Sequence, residues 1–158
     1  MNQEKKQEYT RRIVEANGTQ MITILYEMTL DYLEDAALAM DLNDIHSADR
    51  EINRAQSCIN ELMHSVNLST DLGINFFQIY MFARRQLITA SAKRDKGCID
   101  IVHSLFEKLK DSYKELEKYD DSPSSMDGAQ AVFAGLTYGP GQLNETVSDP
   151  YVKRGYEA

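Results

Sequence analysis

The residues of this chain best suited to chemistry are an acid and a base one helical turn apart, Glu61 and His64, echoed by Asp100 and His103. An offset of three puts both side chains on one helix face, the spacing with which di-metal helical bundles hold their ions. Such a site also takes an inward carboxylate from each of the remaining helices, and the stretch from Leu72 to Arg94 supplies none. At about 100° per residue, Glu61 lies roughly 160° around its helix from Ile59 and so points away from the apolar side. The expectation is no metal site and no catalytic residue.

The other candidates are weaker. His46 falls near a helix start and reads as a solvated surface residue. The segment around Gly135, Gly139 and Gly141 follows no strand, opens no helix and lacks the lysine of a phosphate-binding loop. Cys58 and Cys98 sit in apolar helical patterns without a Cys-x-x-Cys pair, as buried thiols do. Arg84 and Arg85 lie beside aromatics, but 17 basic residues against 25 acidic ones give a net charge of -8. Nucleic acid and anionic lipid are bound chiefly through Lys and Arg, so neither is an expected partner. The arginine pair should instead form salt bridges with neighbouring helices. No apolar run approaches the roughly 20 residues of a membrane span, and the start MNQEKKQEYTRR lacks the apolar stretch of a signal peptide. The expected location is the cytoplasm.

The elements that must carry these residues are helices. Residues 3 to 14 suit a short polar helix with Tyr9, Ile13 and Val14 on one side. Asn17 followed by Gln20 predicts a capping box, and a long helix after it bears Met21, Leu25, Met28, Tyr32, Ala36 and Met40 on one stripe. A third helix after Asn43 or Asp44 spaces Ile45, Ala48, Ile52, Ala55, Ile59, Leu62 and Val66 by threes and fours. A fourth, from about Leu72, repeats Phe76, Tyr80, Ala83, Leu87 and Ala90. Asp95 caps a fifth, with Cys98, Val102, Leu105, Leu109 and Leu116 as its stripe. Short connections force consecutive helices antiparallel. The expected architecture is all-α: an N-terminal arm (1–16), an antiparallel four-helix bundle (17–119) and a C-terminal extension (120–158), flexible or docked, that holds all three prolines. At 158 residues one hydrophobic core is expected.

One excess remains. Phe76, Phe77, Tyr80, Met81 and Phe82 cover more than one side of the fourth helix. Periodicity leaves two readings open: a helix enclosed by its neighbours, or a groove open to another protein.

Several signatures in register point to a family. Tyr9 leads the arm with Val14 behind it, Leu25-Tyr26 opens the long helix, Arg54-Ala55-Gln56 precedes Ile59 and Glu61-Leu62, and Asn75-Phe76 precedes Ile79-Tyr80, Leu87 and Ala90. Residues 9 to about 119 thereby resemble the FliS family, flagellar export chaperones. Gly18 stands where that family often has proline, and Glu27-Met28 where it reads aspartate and glycine. The resemblance implies a chaperone, with no cofactor, that receives the disordered C-terminal segment of flagellin in an apolar groove, where the segment folds into helices. This prevents premature polymerisation and keeps flagellin competent for export. The residues it nominates for the groove are Leu25, Tyr26, Ile52, Ala55, Ile59, Leu62, Phe76 and Tyr80, with Tyr9, Ile13 and Val14 of the arm as gate. It leaves room for contact with other export components and for a weak homodimer. The alternative from the metal spacing is a ferritin-like di-metal enzyme with an incomplete ligand set. Beyond the resemblance, Ala129 to Tyr138 is apolar enough either to dock in the groove or to be an incidental part of a free tail.

Overall fold

The structure is a computed structural model that describes residues 1–125. The apolar stretch Ala129 to Tyr138 and the glycine-containing segment after it lie outside the described residues. Five helices follow in order: α1 (Gln3–Glu15), α2 (Gly18–Asp41), α3 (Ile45–Ser65), α4 (Asp71–Lys93) and α5 (Lys96–Glu117). Each begins on a residue whose side chain accepts a backbone N–H of the first turn, Asn2, Asn17, Asp44, Thr70 and Asp95 in turn. At Asn17 the capping box is complete, because the Gln20 side chain also accepts the Asn17 N–H at 2.9 Å. The fourth helix starts slightly earlier than its apolar pattern indicated. Asp71 therefore belongs to its first turn, where it is exposed and suits the positive end of the helix dipole.

The short links fold α2 to α5 into an antiparallel ring. α2 packs on α3 and α5, α4 closes the ring against the same two helices, and α1 lies along the outside of α2. Two of the turns use left-handed backbone without glycine, at Asn43 and Arg94. Arg94 is also held there by its side chain, which meets Asp49 of α3 at 2.6 and 3.1 Å. The turn before α4 needs a glycine for another reason: a Cβ on Gly73 would stand 1.9 Å from the carbonyl oxygen of Asn67.

The core lies between α2, α3 and the inner faces of α4 and α5, and α1 contributes Tyr9 and Ile13 to it. Two predicted stripes shift. Ile45 is 48% exposed at the start of α3. In α5 the buried line runs through Cys98, Ile99, Val102 and Phe106, while Leu105 and Leu109 are half-buried and Leu116 is 51% exposed. The aromatic ring of Phe106 fills more of the bundle centre than a leucine on the adjacent position would, which turns the helix by part of a residue step. Both thiols are buried, and burial pushes that of Cys58 up to about 12, so it stays protonated.

Candidate partner-binding surface

The nominated groove residues do come together, but inside the bundle. Leu25, Tyr26, Ile52, Ala55, Ile59, Leu62 and Tyr80 are all buried. Tyr26 and Tyr80 share a hydrogen bond at 2.5 Å, and the ring of Tyr26 meets Phe106 edge-on at 5.5 Å and Tyr113 at 5.4 Å. Phe76, half-buried, stacks on Tyr80 at 6.0 Å and touches Tyr113 at 6.1 Å. In this state the cluster is core, and of the eight bundle residues nominated for the groove only Phe76 shows surface.

The apolar surface open to a partner lies further out, on residues outside the predicted stripes. Leu68 and Leu72 are exposed at the turn into α4, Ile74, Phe82 and Ile88 along α4, and Ile101 on α5. Helical spacing sorts those of α4 into two flanks. Phe77, Met81, Arg84 and Ile88 follow one another by four, three and four, and Arg84 reaches Met63 of α3 at 3.9 Å, which sets this flank beside α3. Phe82 lies on the other flank, where with Ile101, Leu105 and the stem of Lys108 it lines a shallow hollow of about 500 Å³ against α5. The signal for both is present in the sequence as surplus apolar residues on α4, beyond the single face that its apolar period accounts for.

The arm is fastened to α2 by a ladder of charges. Glu27, Asp31 and Asp35 recur every four residues along α2, so their carboxylates line one edge. From α1 the terminal ammonium of Met1 meets Asp35, Lys5 meets Asp31 at 2.5 Å and Arg12 meets Glu27 at 2.5 Å. Lys114 of α5 reaches the same Glu27 at 2.9 Å. Between the rungs Tyr9 is buried and donates its hydroxyl to Asp31 at 2.7 Å, and Ile13 is fully buried. Burial, and then the Asp31 carboxylate, hold the Tyr9 hydroxyl well above its ordinary value. Burial alone would raise Glu27, yet the hydrogen bonds from Arg12 and Lys114 bring it below the usual glutamate range. Val14, by contrast, is 54% exposed and points away from the bundle.

A second fastening joins the arm to the segment that follows α5. After α5 the backbone turns back to the α1–α2 junction. Asn17 Nδ2 donates to the carbonyls of Asp120 at 3.1 Å and Ser122 at 3.3 Å, Thr19 donates to the Asp120 carboxylate, and Ser125 N–H donates to Ala16 O at 2.9 Å. Asn17 thus caps α2 and holds the strap 120–125 at once. Beside this junction a hollow of about 330 Å³ is lined by Arg12, Glu15, Ala16, Gln20, Ile24 and Glu117.

The metal-spaced pairs gain no further ligands. Glu61 is half-buried and His64 exposed, His103 meets Glu34 at 3.3 Å, and among the described residues no group of three or more His, Cys, Asp and Glu is placed to hold an ion. His46 is exposed at the start of α3. The expected bridging of Arg84 and Arg85 fails: among the described residues neither pairs with a carboxylate, because α3 presents Met63, not an acid, to Arg84. No helix among the described residues is long and apolar enough to cross a membrane.

Comparison with known proteins agrees with the helical pattern. A family model described as "Flagellar protein FliS" matches residues 1–120. The chain is 25% identical over 100 residues to the flagellar secretion chaperone FliS of Bacillus subtilis (strain 168), covering 63% of this chain and 75% of that protein. It is 25% identical over 109 residues to the flagellar secretion chaperone FliS of Escherichia coli (strain K12), covering 65% of this chain and 78% of that one.

Proposed function

From the premise that this chain belongs to the FliS family of flagellar proteins, a family of secretion chaperones and not of enzymes, we propose that it binds the disordered C-terminal segment of flagellin in the cytosol. The segment docks as short amphipathic helices on the exposed apolar flanks of α4, and the arm α1 limits access until it is displaced. Bound in this way, the part of flagellin that polymerises is covered while the client stays loose enough for export.

The observation that carries the reading is the exposure of Ile74, Phe82 and Ile88 along a single helix, continued by Ile101 on α5. Apolar residues scattered singly over a surface need no explanation, but their concentration on both flanks of one helix, Ile88 beside α3 and Phe82 with Ile101 beside α5, marks an interaction site. A helical ridge with flanking hollows suits helix-in-groove recognition, in which the client gains its backbone hydrogen bonds only as it binds. The arm fits a gate because α1 is held to α2 by three ion pairs along one edge and by only two buried side chains, Tyr9 and Ile13, an attachment small beside the packing of α2 to α5.

Titration of the protein with the C-terminal segment of flagellin from the same organism tests the proposal. Binding should be stoichiometric and should be weakened by Phe82→Asp or Ile88→Asp, both exposed enough to leave the fold intact. Undiminished binding by both folded variants would move the site off α4.

A further inference from the structure

The two adjacent arginines of α4 have different surroundings. Arg85 is exposed, whereas Arg84 lies half-buried against α3, its Nη1 3.9 Å from the Met63 sulfur and its Nε buried without a hydrogen-bond partner. A guanidinium presents five N–H donors in a planar fork, and a thioether is a weak acceptor. Leaving a buried donor of a charged group unmatched is costly, so an apolar residue would serve the free protein better at this position. The contrast with other cations around α3 is plain. Arg94 holds Asp49 with two hydrogen bonds, and Arg54 holds Glu51 with two.

Arg84 shares its flank with Phe77, Met81 and Ile88, and the last of these is 53% exposed. Among the described residues this flank is therefore an apolar strip with one cation, Arg84, that has no counter-ion. Its complement is a helix with apolar side chains at intervals of three and four residues and one carboxylate among them. Arg is the side chain suited to that partner, since its fork matches both oxygens of a carboxylate and tolerates desolvation better than an ammonium.

We infer that Arg84 is the specificity anchor of the α3–α4 flank, pairing with a carboxylate of a client helix that lies over Phe77, Met81 and Ile88. This rests on the flagellin-binding reading above and deepens it by naming the recognising residue and the chemistry it recognises. The client's carboxylate supplies the counter-charge that the Arg84 guanidinium lacks among the described residues, so a half-buried charge left uncompensated in the unbound state becomes affinity in the complex.

The test is calorimetric titration of the flagellin C-terminal segment into the full chain, into Arg84→Met and into Arg84→Lys, with thermal melting of each. Arg84→Met should bind at least about tenfold more weakly, the loss expected for one charge-assisted hydrogen-bonded pair. It should also melt no lower than the parent, because it removes an unmatched buried donor. Arg84→Lys keeps the charge without the fork and should fall between the two. Client segments with single Asp→Asn or Glu→Gln changes should include one that loses affinity for the parent protein but not for Arg84→Met. Equal affinity of parent and Arg84→Met for the unaltered segment overturns the inference and leaves the flagellin reading standing. Arg84→Met that alters self-association while leaving client affinity unchanged overturns it in favour of a second copy as occupant. No binding by the parent overturns both.

Discussion

The hydroxyls of Tyr26 and Tyr80 lie 2.5 Å apart at the centre of the bundle and join α2 to α4, the two helices that face each other across the ring. Burial raises both hydroxyls above their ordinary value, with each further influenced by the other, so the pair stays protonated throughout the ordinary pH range. Each supplies the other's only hydrogen-bond partner among the described residues.

Either Tyr26→Phe or Tyr80→Phe should therefore strand one buried hydroxyl and cost about 1–2 kcal/mol of stability. The double substitution removes both groups and should cost less than the two single losses added together. Denaturant unfolding of the three variants measures this, and simple additivity would show that the hydroxyls do not depend on each other. Tyr26→Asp, by the same geometry, should unfold the bundle and tells nothing about binding.

Glu27 ties α1 and α5 to α2, and its carboxyl titrates below the usual value of 4.5. A lowered folded-state value means that the ionised form stabilises the fold above 4.5 and that this stabilisation fades as the pH falls through the lowered value. Glu27→Gln should consequently melt below the parent at neutral pH, with a gap of about 1 kcal/mol or more. The gap should narrow steadily in acid below 4.5. A gap that is independent of pH would mean that the ion pairs to Arg12 and Lys114 contribute nothing.

Tyr9 is the arm's largest buried side chain, so Tyr9→Ala should free α1 from α2 while leaving α2 to α5 folded. If the arm restricts access, freeing it raises the fraction of binding-competent protein and tightens client affinity several-fold. Calorimetric titration gives the affinity, and faster proteolysis within residues 1–16 confirms that the arm has come away. Proteolysis without tighter binding would deprive the arm of its gating role.

Asn17 can be dissected because its two jobs use different atoms. Asn17→Asp keeps an acceptor for the Gln20 N–H but loses the Nδ2 donors to Asp120 and Ser122. It should retain the melting temperature of α2 to α5 and speed cleavage after Lys118. Asn17→Ala should lose the cap as well, at a further cost of about 1 kcal/mol. Equal cleavage rates in parent and Asn17→Asp would show that the strap is held by Ser125 and Thr19 alone.

Helix boundaries were legible in the sequence because caps are local: Asn17 with Gln20, Asp44 and Asp95 bind the N–H groups of the turn that follows, wherever the helix later packs. The core of α2 and α3 was legible too, since period fixes which face turns inward. The inward face of α5 is ambiguous in the sequence because both Leu105 and Phe106 fit an apolar stripe, and only packing against Tyr26 and Tyr80 favours Phe106. The surface was least legible. Tyr26, Ile59 and Tyr80 mark the family pattern strongly because they build the core, whereas Ile74, Phe82 and Ile88 gain their meaning from what α3 and α5 leave uncovered. For Arg84 the sequence suggests a salt bridge to a neighbouring helix, and only the packing of α3 on α4 places Met63 rather than an acid beside it.

The central claim, that an unfolded flagellin segment becomes helical on this surface, is tested most directly by circular dichroism of the protein mixed with the C-terminal segment of its flagellin. The account predicts more helical signal than the sum of the separate spectra, rising with added segment and levelling at one equivalent. A spectrum equal to that sum at micromolar concentrations of both would contradict it.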